Sequence, residues 1–317
     1  MYAKVLVVGD LHMSWKDYGM HLNYPKETMD MFDNIANIVE TGGFTHCILT
    51  GDLAFGRFVK LEYRKRFDEL CEKINKATGN NLYSLKGNHD EAGYGMTEYE
   101  YYVSNGVIKP SQNLTLGKCK ITMIDYGKIG TVEVNKADAN ETGVVICHDM
   151  VEFNKNDAPE FMKPIIIGDM PKFFGTKLVV MGHIHNYYEK AGSIKDADGV
   201  MSSNCALMCL GSPTRPQYTE PVDDKAHFLV IECTDEGVGL QRMEIEQPPV
   251  EEIFNLEQKE IKEEKERIKE MRVDISNVIA NLASYDNSGM DMVTMIDNMQ
   301  VDKRYSNKAK ELLQSSM

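Results

Sequence analysis

Five short motifs that contain potential metal ligands occur along this chain. They are Gly9-Asp10-Leu11-His12, Gly51-Asp52, Gly87-Asn88-His89-Asp90, His148, and Gly182-His183-Ile184-His185. Carboxylate oxygens, amide oxygens and imidazole nitrogens suit divalent cations of hard or borderline character. A cluster of such ligands can hold two cations that activate water for hydrolysis. The motifs therefore indicate a metal-dependent hydrolase.

A short apolar run precedes each of these motifs. The runs occupy residues 5–8, 47–49, 82–85, 144–147 and 178–181. Short apolar runs bounded by glycine are typical of buried parallel strands. Ligands on the loops after such strands meet in one crevice at the carboxyl edge of a sheet. We therefore expect the five motifs to converge in space.

The first half of the chain alternates strand-like and helix-like segments, which predicts an α/β fold. Apolar residues recur with helical spacing over residues 25–40 and again over residues 58–77. After Gly182 the pattern changes, because strand-like segments follow one another without a long helix between them. These segments occupy residues 206–210, 227–233 and 238–245. They predict a second, largely antiparallel sheet packed on the first.

A Gln-Pro-Pro sequence at residues 247–249 marks a domain boundary. We predict a catalytic domain over residues 1–247 and a helical tail over residues 248–317. The tail carries a seven-residue apolar series, which is suggestive of a coiled-coil seam: Phe254, Ile261, Ile268, Ile275 and Leu282. Two interpretations stay open. The tail either docks a partner or folds back on the catalytic domain.

Composition narrows the class of protein. The chain has 317 residues, of which 42% are hydrophobic, and a net charge of −14, which argues against a generally basic protein that coats nucleic acid. The seven cysteines form no CxxC motif, so we expect free thiols in a reducing compartment. No apolar stretch approaches the ~20 residues of a membrane helix, and no signal sequence is recognisable. These features predict a cytoplasmic protein.

The order of the five motifs resembles that of the calcineurin-like metallophosphoesterase superfamily, over residues 1 to 235. His148 is the least specific member, and it is assigned because it is the one histidine between the third and fifth motifs and ends a strand-like run. The resemblance implies a four-layer αββα sandwich, followed here by the helical tail.

The resemblance also implies two metal sites that share one carboxylate. The first site would consist of Asp10, His12, Asp52 and His185. The second would consist of Asp52, Asn88, His148 and His183. Asp52 would bridge the two cations, which such a carboxylate can hold ~3.5–4 Å apart. Mixed nitrogen and oxygen ligation suits Mn²⁺, iron or Zn²⁺, and the resemblance favours Mn²⁺.

Two further residues receive catalytic roles from the resemblance. The paired cations would polarise a phosphoryl oxygen and lower the pKa of a bound water. His89 would donate a proton to the leaving oxygen or stabilise it, and Asp90 would orient the His89 ring. The alternative is that His89 only positions its loop.

The sequence specifies the substrate less closely than it specifies the metal centre. Asp90 stands where protein phosphatases of this superfamily have glutamate, and no Asp-Arg-Gly follows Asp52, which argues against that class. The sequence Gly-Ser-Pro-Thr-Arg at residues 211–215, with Glu220 shortly after, resembles the nuclease subunits of double-strand-break repair complexes of the SbcD type and their phage counterparts. In that interpretation Arg215 contacts a substrate phosphate. The alternative is that the segment is a plain turn between two strands.

The resemblance thus predicts a Mn²⁺-dependent DNA exonuclease or endonuclease subunit for DNA repair, recombination or degradation. Its partner would be an SMC-like coiled-coil ATPase, bound through the C-terminal helices. The capping domain common in such nucleases has no counterpart here, which leaves the mode of DNA binding open. The alternative function is a phosphodiesterase or phosphatase for small nucleotides, with a tail that forms a homodimer. A catalytically silent scaffold is disfavoured because every expected ligand is present.

Overall fold

The computed structural model describes residues 2–14, 21–55, 61–91, 95–157, 163–216 and 225–257, with residues 260, 261, 264, 265, 267, 269 and 310. The chain divides into two compact units, Met1–Phe254 and Asn255–Met317. The first unit continues past the boundary predicted after Gln247. Ile268, Ile275 and Leu282 of the seven-residue series lie outside the described residues, so the coiled-coil seam stays a prediction.

The described part of the first unit contains thirteen strands and four α-helices. The strands are β1 (Ala3–Val8), β2 (His46–Leu49), β3 (Leu82–Ser84), β4 (Asn113–Leu116), β5 (Cys119–Ile124), β6 (Thr142–Cys147), β7 (Val151–Glu152), β8 (Ile165–Ile166), β9 (Thr176–Met181), β10 (Tyr188–Lys195), β11 (Ser202–Cys209), β12 (Lys225–Cys233) and β13 (Val238–Glu246). The helices are α1 (Tyr24–Thr41), α2 (Leu61–Thr78), α3 (Glu98–Ser104) and α4 (Val250–Ile253).

The first sheet has the strand order β13-β12-β1-β2-β3. Strands β1, β2 and β3 are parallel, and Val8, Leu49 and Ser84 lie side by side near their carboxyl ends. The loops that follow these strands therefore leave the sheet at the same edge, as predicted for parallel strands. Strand β12 is antiparallel to β1, and β13 is antiparallel to β12.

The second sheet has the order β10-β11-β9-β6-β5-β4. Its four central strands, β11, β9, β6 and β5, are parallel, and only the edge strands β10 and β4 are antiparallel. The prediction of a largely antiparallel second sheet is therefore wrong. Strands β12 and β13 complete the first sheet instead, because the apolar pattern of a strand specifies that it is buried and not which neighbour it pairs with.

Three apolar layers hold the two sheets and the helices together. One lies between the first sheet and helices α1 and α2, a second between the two sheets, and a third on the outer face of the second sheet. The predicted α/β sandwich is thus confirmed. In the described residues that outer face is covered by the β7–β8 pair, by Phe153 and by a short 3-10 turn that ends at Phe173, and no long helix forms the fourth layer.

Local sequence explains where the first helix begins and which face it buries. The Asn23 side chain caps α1 by accepting a hydrogen bond from the Lys26 N–H, and a proline occupies the first turn. Phe32, Ile35 and Val39 then point into the core at helical spacing. In the described part of the chain, none of the helices has the length and apolar character needed to cross a membrane.

Candidate metal centre

The five predicted loops converge at the carboxyl ends of β1, β2, β3, β6 and β9. Potential ligand atoms in three overlapping groups lie within 4.8 Å of one another. The groups are Asp10, His12 and His185; His12, Asp52 and His89; and Asp52, His148 and His183. The chain thus gathers residues that are far apart in sequence around one point, which is the geometry that a two-metal site requires.

The first half of the centre is built around two imidazoles. Nε2 of His12 lies 2.8 Å from Nε2 of His185, and 3.6 Å from Oδ2 of Asp52. His12 and Asp10 are fully buried. Nδ1 of His12 is buried without a hydrogen-bond partner among the described residues. Two ring nitrogens and a carboxylate oxygen therefore lie close together at this half of the centre.

The second half of the centre has the same character. Oδ1 of Asn88 lies 2.9 Å from Nδ1 of His183 and 3.1 Å from Nε2 of His148. Oδ2 of Asp52 lies 3.3 Å from the same His148 nitrogen. Because this carboxylate oxygen faces His12 on one side and His148 on the other, Asp52 occupies the position between the two halves.

A set of hydrogen bonds orients the candidate ligands from behind. Nδ1 of His148 lies 2.8 Å from the Thr50 carbonyl, so a proton donated there leaves Nε2 with a lone pair directed at the centre. The Thr50 hydroxyl donates to Oδ1 of Asp10 at 2.7 Å. The backbone N–H of His183 donates to Oδ2 of Asp10 at 2.6 Å. Thr50 is not among the residues predicted from sequence, although it directly precedes Gly51-Asp52.

Unusual backbone conformations are concentrated at the centre. The φ angles of His12, Asp52 and His183 are 45°, 46° and 74°. A positive φ is uncommon for residues other than glycine, and such strain persists only where the surrounding structure imposes it. Asn80 is the one other non-glycine residue with a positive φ in the described part of the chain. Tight loop geometry therefore accompanies the convergence of the ligands.

Glycines bring the backbone close to three candidate ligands. A Cβ atom added at Gly87 would lie 2.1 Å from Oδ1 of Asp52, and one added at Gly182 would lie 2.4 Å from Oδ1 of Asp10. A Cβ atom at Gly51 would meet Nδ1 of His148 at 2.4 Å. These glycines are required because any side chain would occupy the space of a ligand.

Burial and mutual charge shift the pKa values of the cluster in opposite directions. Burial raises the pKa of Asp10 and lowers that of His12. For Asp52, burial is outweighed by the hydrogen bond and charge of His148, so its pKa is lowered. For His148, burial is outweighed by Asp10 and Asp52, which raise its pKa to about 9. The positive charge of protonated His148 thus offsets the negative charge of the neighbouring carboxylates, and a bound cation would compete with the proton on His148.

The donor set fits a pair of divalent cations of borderline character. Carboxylate, amide and imidazole donors surround the centre, and no thiolate belongs to any of the three groups. All seven cysteines are buried free thiols, as predicted. A cation bound at the centre would satisfy the acceptor atoms that converge there. The residues present therefore fit the two metal sites that the sequence predicts, and the identity of the metal stays a prediction.

His89 lies at the open side of the centre. Its side chain is exposed. Its ring packs edge-on against the rings of His12 and Phe55, with centroid distances of 5.2 Å and 5.1 Å. Its backbone N–H donates to Oδ1 of Asp52 at 2.8 Å. The exposed imidazole is therefore within reach of a molecule bound to the centre.

Asp90 binds the main chain. Its buried carboxylate accepts hydrogen bonds from the N–H groups of Gly87, at 2.9 Å, and Leu53, at 3.1 Å. Burial raises the pKa of Asp90 to about 7, even though the Gly87 hydrogen bond acts to lower it. Both carboxylate oxygens join the two loops that carry Asp52 and Asn88. The expectation that Asp90 also orients the His89 ring stays a prediction.

Two aromatic residues that the sequence analysis missed lie against the candidate ligands. The Phe55 ring stacks on His12 at 4.2 Å with an interplanar angle of 19°. The Tyr126 ring lies 5.7 Å from His183 and 6.2 Å from His148. Phe55 comes three residues after Asp52 in the sequence, but nothing in its local pattern distinguishes it from a core residue.

Arg215 does not face the solvent. It is 7% exposed, and its Nε lies 3.5 Å from Oε1 of Glu27. The other oxygen of Glu27 lies 3.1 Å from Nδ1 of His21. In this arrangement the guanidinium belongs to a buried charged group, so a contact with a substrate phosphate would require it to move. That contact stays a prediction. Glu220 lies outside the described residues.

Comparisons with known proteins give one family match and weak structural similarities. Residues 3–187 match the model of the family described as calcineurin-like phosphoesterase. A crystal structure of a single mutant of Vps29 from Entamoeba histolytica is 16% identical, with a TM-score of 0.34 over 76% of this chain and 99% of that chain. Wild-type Vps29 complexed with Zn²⁺ from the same organism is 14% identical, with a TM-score of 0.34 over 77% and 98%. No curated protein matches the chain.

Proposed function

Because this chain belongs to the calcineurin-like phosphoesterase family, we propose that it is a metal-dependent phosphodiesterase that cleaves DNA. One observation carries the phosphodiesterase part of the proposal. Oδ2 of Asp52 lies between Nε2 of His12 and Nε2 of His148, at 3.6 Å and 3.3 Å, so one carboxylate can serve two cations. Membership of the family adds that phosphoesters are the bonds to be cleaved.

The residues of the chain divide the work of the reaction. When bound, two divalent cations supply Lewis acidity toward a phosphoryl oxygen and toward water. Asp10, His12 and His185 would hold the first cation, and Asn88, His148 and His183 would hold the second, with Asp52 common to both sites. His89 is the exposed imidazole beside the centre, and it donates a proton to the leaving oxygen. Asp90 holds the two ligand loops at a fixed separation through Gly87 and Leu53.

The DNA substrate is supported by sequence and not by a described DNA-binding surface. The Gly-Ser-Pro-Thr-Arg segment resembles that of double-strand-break repair nucleases. The Phe-Leu-Val sequence at residues 228–230 also resembles a segment of those nucleases, and it lies within β12. The cations themselves would offset part of the net charge of −14 where a phosphate binds. We propose Mn²⁺ as the metal, since the ligands are mixed nitrogen and oxygen donors.

A second candidate substrate is a small nucleotide phosphodiester. The burial of Arg215 against Glu27 favours it, because the one cation that the DNA interpretation assigned to a phosphate is already paired. The two candidates share the same metal centre and chemistry. They differ in the length of nucleic acid that the surface beside the centre must accommodate.

A substrate panel with added Mn²⁺ separates these candidates. The purified protein is incubated with linear duplex DNA, single-stranded DNA, a cyclic nucleotide and bis(p-nitrophenyl) phosphate. The DNA proposal predicts Mn²⁺-dependent release of nucleotides or cleavage of DNA, abolished by chelation. If only the small esters are hydrolysed, even when an ATPase partner is supplied, the second candidate is established. A lack of hydrolysis of every phosphodiester would reject the proposed function.

For the tail, we propose docking to a coiled-coil ATPase, with self-association into a homodimer as the alternative. The first compact unit includes Phe254, which is buried. The centroid of its ring lies 4.3 Å from the centroid of the His21 ring. Deletion of residues 255–317 therefore leaves these contacts in place. We expect the shortened chain to hydrolyse small esters at the full rate and to lose association, measured by light scattering of the chain alone and with the ATPase. Unchanged association would reject the docking role.

A further inference from the structure

Three hydroxyl groups contact consecutive carbonyls of the loop that carries Asp10 and His12. The Ser212 hydroxyl donates to the Asp10 carbonyl at 2.7 Å, and the Thr214 hydroxyl donates to the Leu11 carbonyl at 2.9 Å. The Tyr24 hydroxyl donates to the His12 carbonyl at 3.1 Å. This loop has left strand β1, so its carbonyls cannot pair within the sheet. Buried carbonyls need such partners.

The three hydroxyls form one connected group, which we call the hydroxyl clasp (Tyr24, Ser212 and Thr214). The Thr214 oxygen lies 3.1 Å from that of Ser212 and 3.3 Å from that of Tyr24. A hydroxyl carries one proton, so the three protons match the three carbonyls one to one. Tyr24 and Thr214 are buried, at 0% and 1% exposure. Water therefore does not compete for the hydrogen bonds of these two hydroxyls.

The same segment also contacts the second ligand loop of the first metal site. The Ser212 N–H donates to the His185 carbonyl at 3.1 Å. A Cβ atom added at Gly211, whose φ is +72°, would lie 2.7 Å from that carbonyl. A Cβ atom added at Gly9 would lie 1.8 Å from the Gly211 carbonyl oxygen. Residues 211–214 thus join the loop of Asp10 and His12 to the loop of His185.

We propose that the hydroxyl clasp is a positioning device for the first metal site, the one formed by Asp10, His12, Asp52 and His185. It fixes the main chain behind Asp10 and His12 and holds that loop against the backbone of His185. The inference rests on the proposed function, since it assumes that these side chains bind a cation. It gives the Gly-Ser-Pro-Thr segment a role at the metal centre that does not involve contact with the substrate.

The clasp makes a prediction that is specific to one of the two sites. Outer hydrogen-bond partners of metal ligands typically change metal affinity by about 10–100-fold. Replacement of Thr214 by valine removes the hydroxyl and keeps the shape of the side chain. We expect Thr214→Val to weaken one Mn²⁺ site by about tenfold or more, with the other site, which includes Asn88, His148 and His183, unchanged. Thr214→Ser, which keeps the hydroxyl, should restore both sites.

Isothermal titration of the full chain with Mn²⁺ measures both affinities. Thr78→Val is the matched control, because the buried Thr78 hydroxyl donates to the Ile74 carbonyl in α2 at 2.9 Å, away from the metal loops. The control should keep both sites. Tyr24→Phe provides a second clasp variant, because it removes the hydroxyl that donates to the His12 carbonyl. Thermal unfolding in EDTA identifies any variant that does not fold.

The outcomes separate the clasp from the proposed function. Selective loss of one Mn²⁺ site in Thr214→Val and Tyr24→Phe, with rescue by Thr214→Ser, supports the clasp. Equal affinities in wild type and both clasp variants would overturn it, even if the protein hydrolyses phosphodiesters. Conversely, a wild-type protein that binds two Mn²⁺ ions but cleaves no phosphodiester would reject the proposed function, while the affinities still decide the role of the clasp.

Discussion

Nε2 of His12 and Nε2 of His185 lie 2.8 Å apart, although the two residues are 173 positions apart in the chain. They come from loops that follow strands of different sheets, β1 and β9. Two imidazole nitrogens at this distance either share a proton or bind the same cation. The neighbouring carboxylates of Asp10 and Asp52 favour the cation, because they supply the oxygen ligands that complete a site.

Replacement of the shared carboxylate should affect both cations. We expect Asp52→Asn to weaken Mn²⁺ binding at both sites and to lower phosphodiester hydrolysis by ~100-fold or more, since the metals supply the Lewis acidity. Titration calorimetry and the rate with bis(p-nitrophenyl) phosphate measure the two effects. Asp169→Asn is the control, because the Asp169 side chain is 69% exposed and pairs with Lys195 on the surface. Two intact Mn²⁺ sites in Asp52→Asn would contradict the bridging role.

The close approach of Gly87 to the Asp52 carboxylate gives a second prediction. A Cβ atom at Gly87 would occupy the space of Oδ1 of Asp52, so Gly87→Ala should displace that carboxylate. We expect loss of Mn²⁺ binding with a smaller change in the rest of the fold, measured by calorimetry and circular dichroism. Gly130→Ala is the matched control, because a Cβ atom there meets nothing within 4 Å. Normal Mn²⁺ affinity in Gly87→Ala would show that the carboxylate can move without cost.

His89 provides a test that separates chemistry from metal binding. His89→Ala should bind two Mn²⁺ ions, since the ring is exposed and the main-chain hydrogen bond to Asp52 survives the change. Turnover should fall by ~10²–10⁴-fold, the usual contribution of a general acid. Leaving groups of low pKa need no protonation, so p-nitrophenolate release should suffer least. A variant that cleaves every substrate at the wild-type rate would leave His89 without a catalytic role.

Local sequence patterns predict one part of this centre, and contacts between distant segments determine the rest. The loops of Asp10, Asp52, Asn88, His148 and His183 each follow an apolar strand, so both the strands and their convergence were predictable. The pairing of β12 with β1 was not, because the residues of β12 specify burial and leave its neighbour open.

Contacts between distant segments account for what the sequence analysis missed. Ser212 and Thr214 meet the carbonyls of Asp10 and Leu11 across 202 and 203 positions, and a hydroxyl–carbonyl contact has no sequence signature. The sequence motif that contains both residues assigns the functional role to Arg215 instead. Strand β10 was missed for a different reason, since its alternating exposure leaves only a weak apolar pattern.

The aromatic contact between α1 and α2 makes a prediction about stability. Phe67 is fully buried, stacks on Phe32 at 4.9 Å and lies 4.7 Å from Tyr102. Phe67→Ala should lower the free energy of unfolding by about 3–5 kcal/mol, the usual cost of removing a buried phenyl ring. Urea unfolding measures this value. Leu61→Ala, at a side chain 66% exposed in the same helix, should change it by less than ~0.5 kcal/mol. Equal effects would contradict the assignment of this helix face to the core.

The most direct test of the central claim is a crystal structure of the full chain grown with Mn²⁺, with anomalous data collected on both sides of the manganese absorption edge. We predict two anomalous peaks ~3.5–4 Å apart, with the Asp52 carboxylate between them. Asp10, His12 and His185 should ligate one peak, and Asn88, His148 and His183 the other. A map in which these side chains surround no manganese, at saturating concentration, would contradict the two-metal centre.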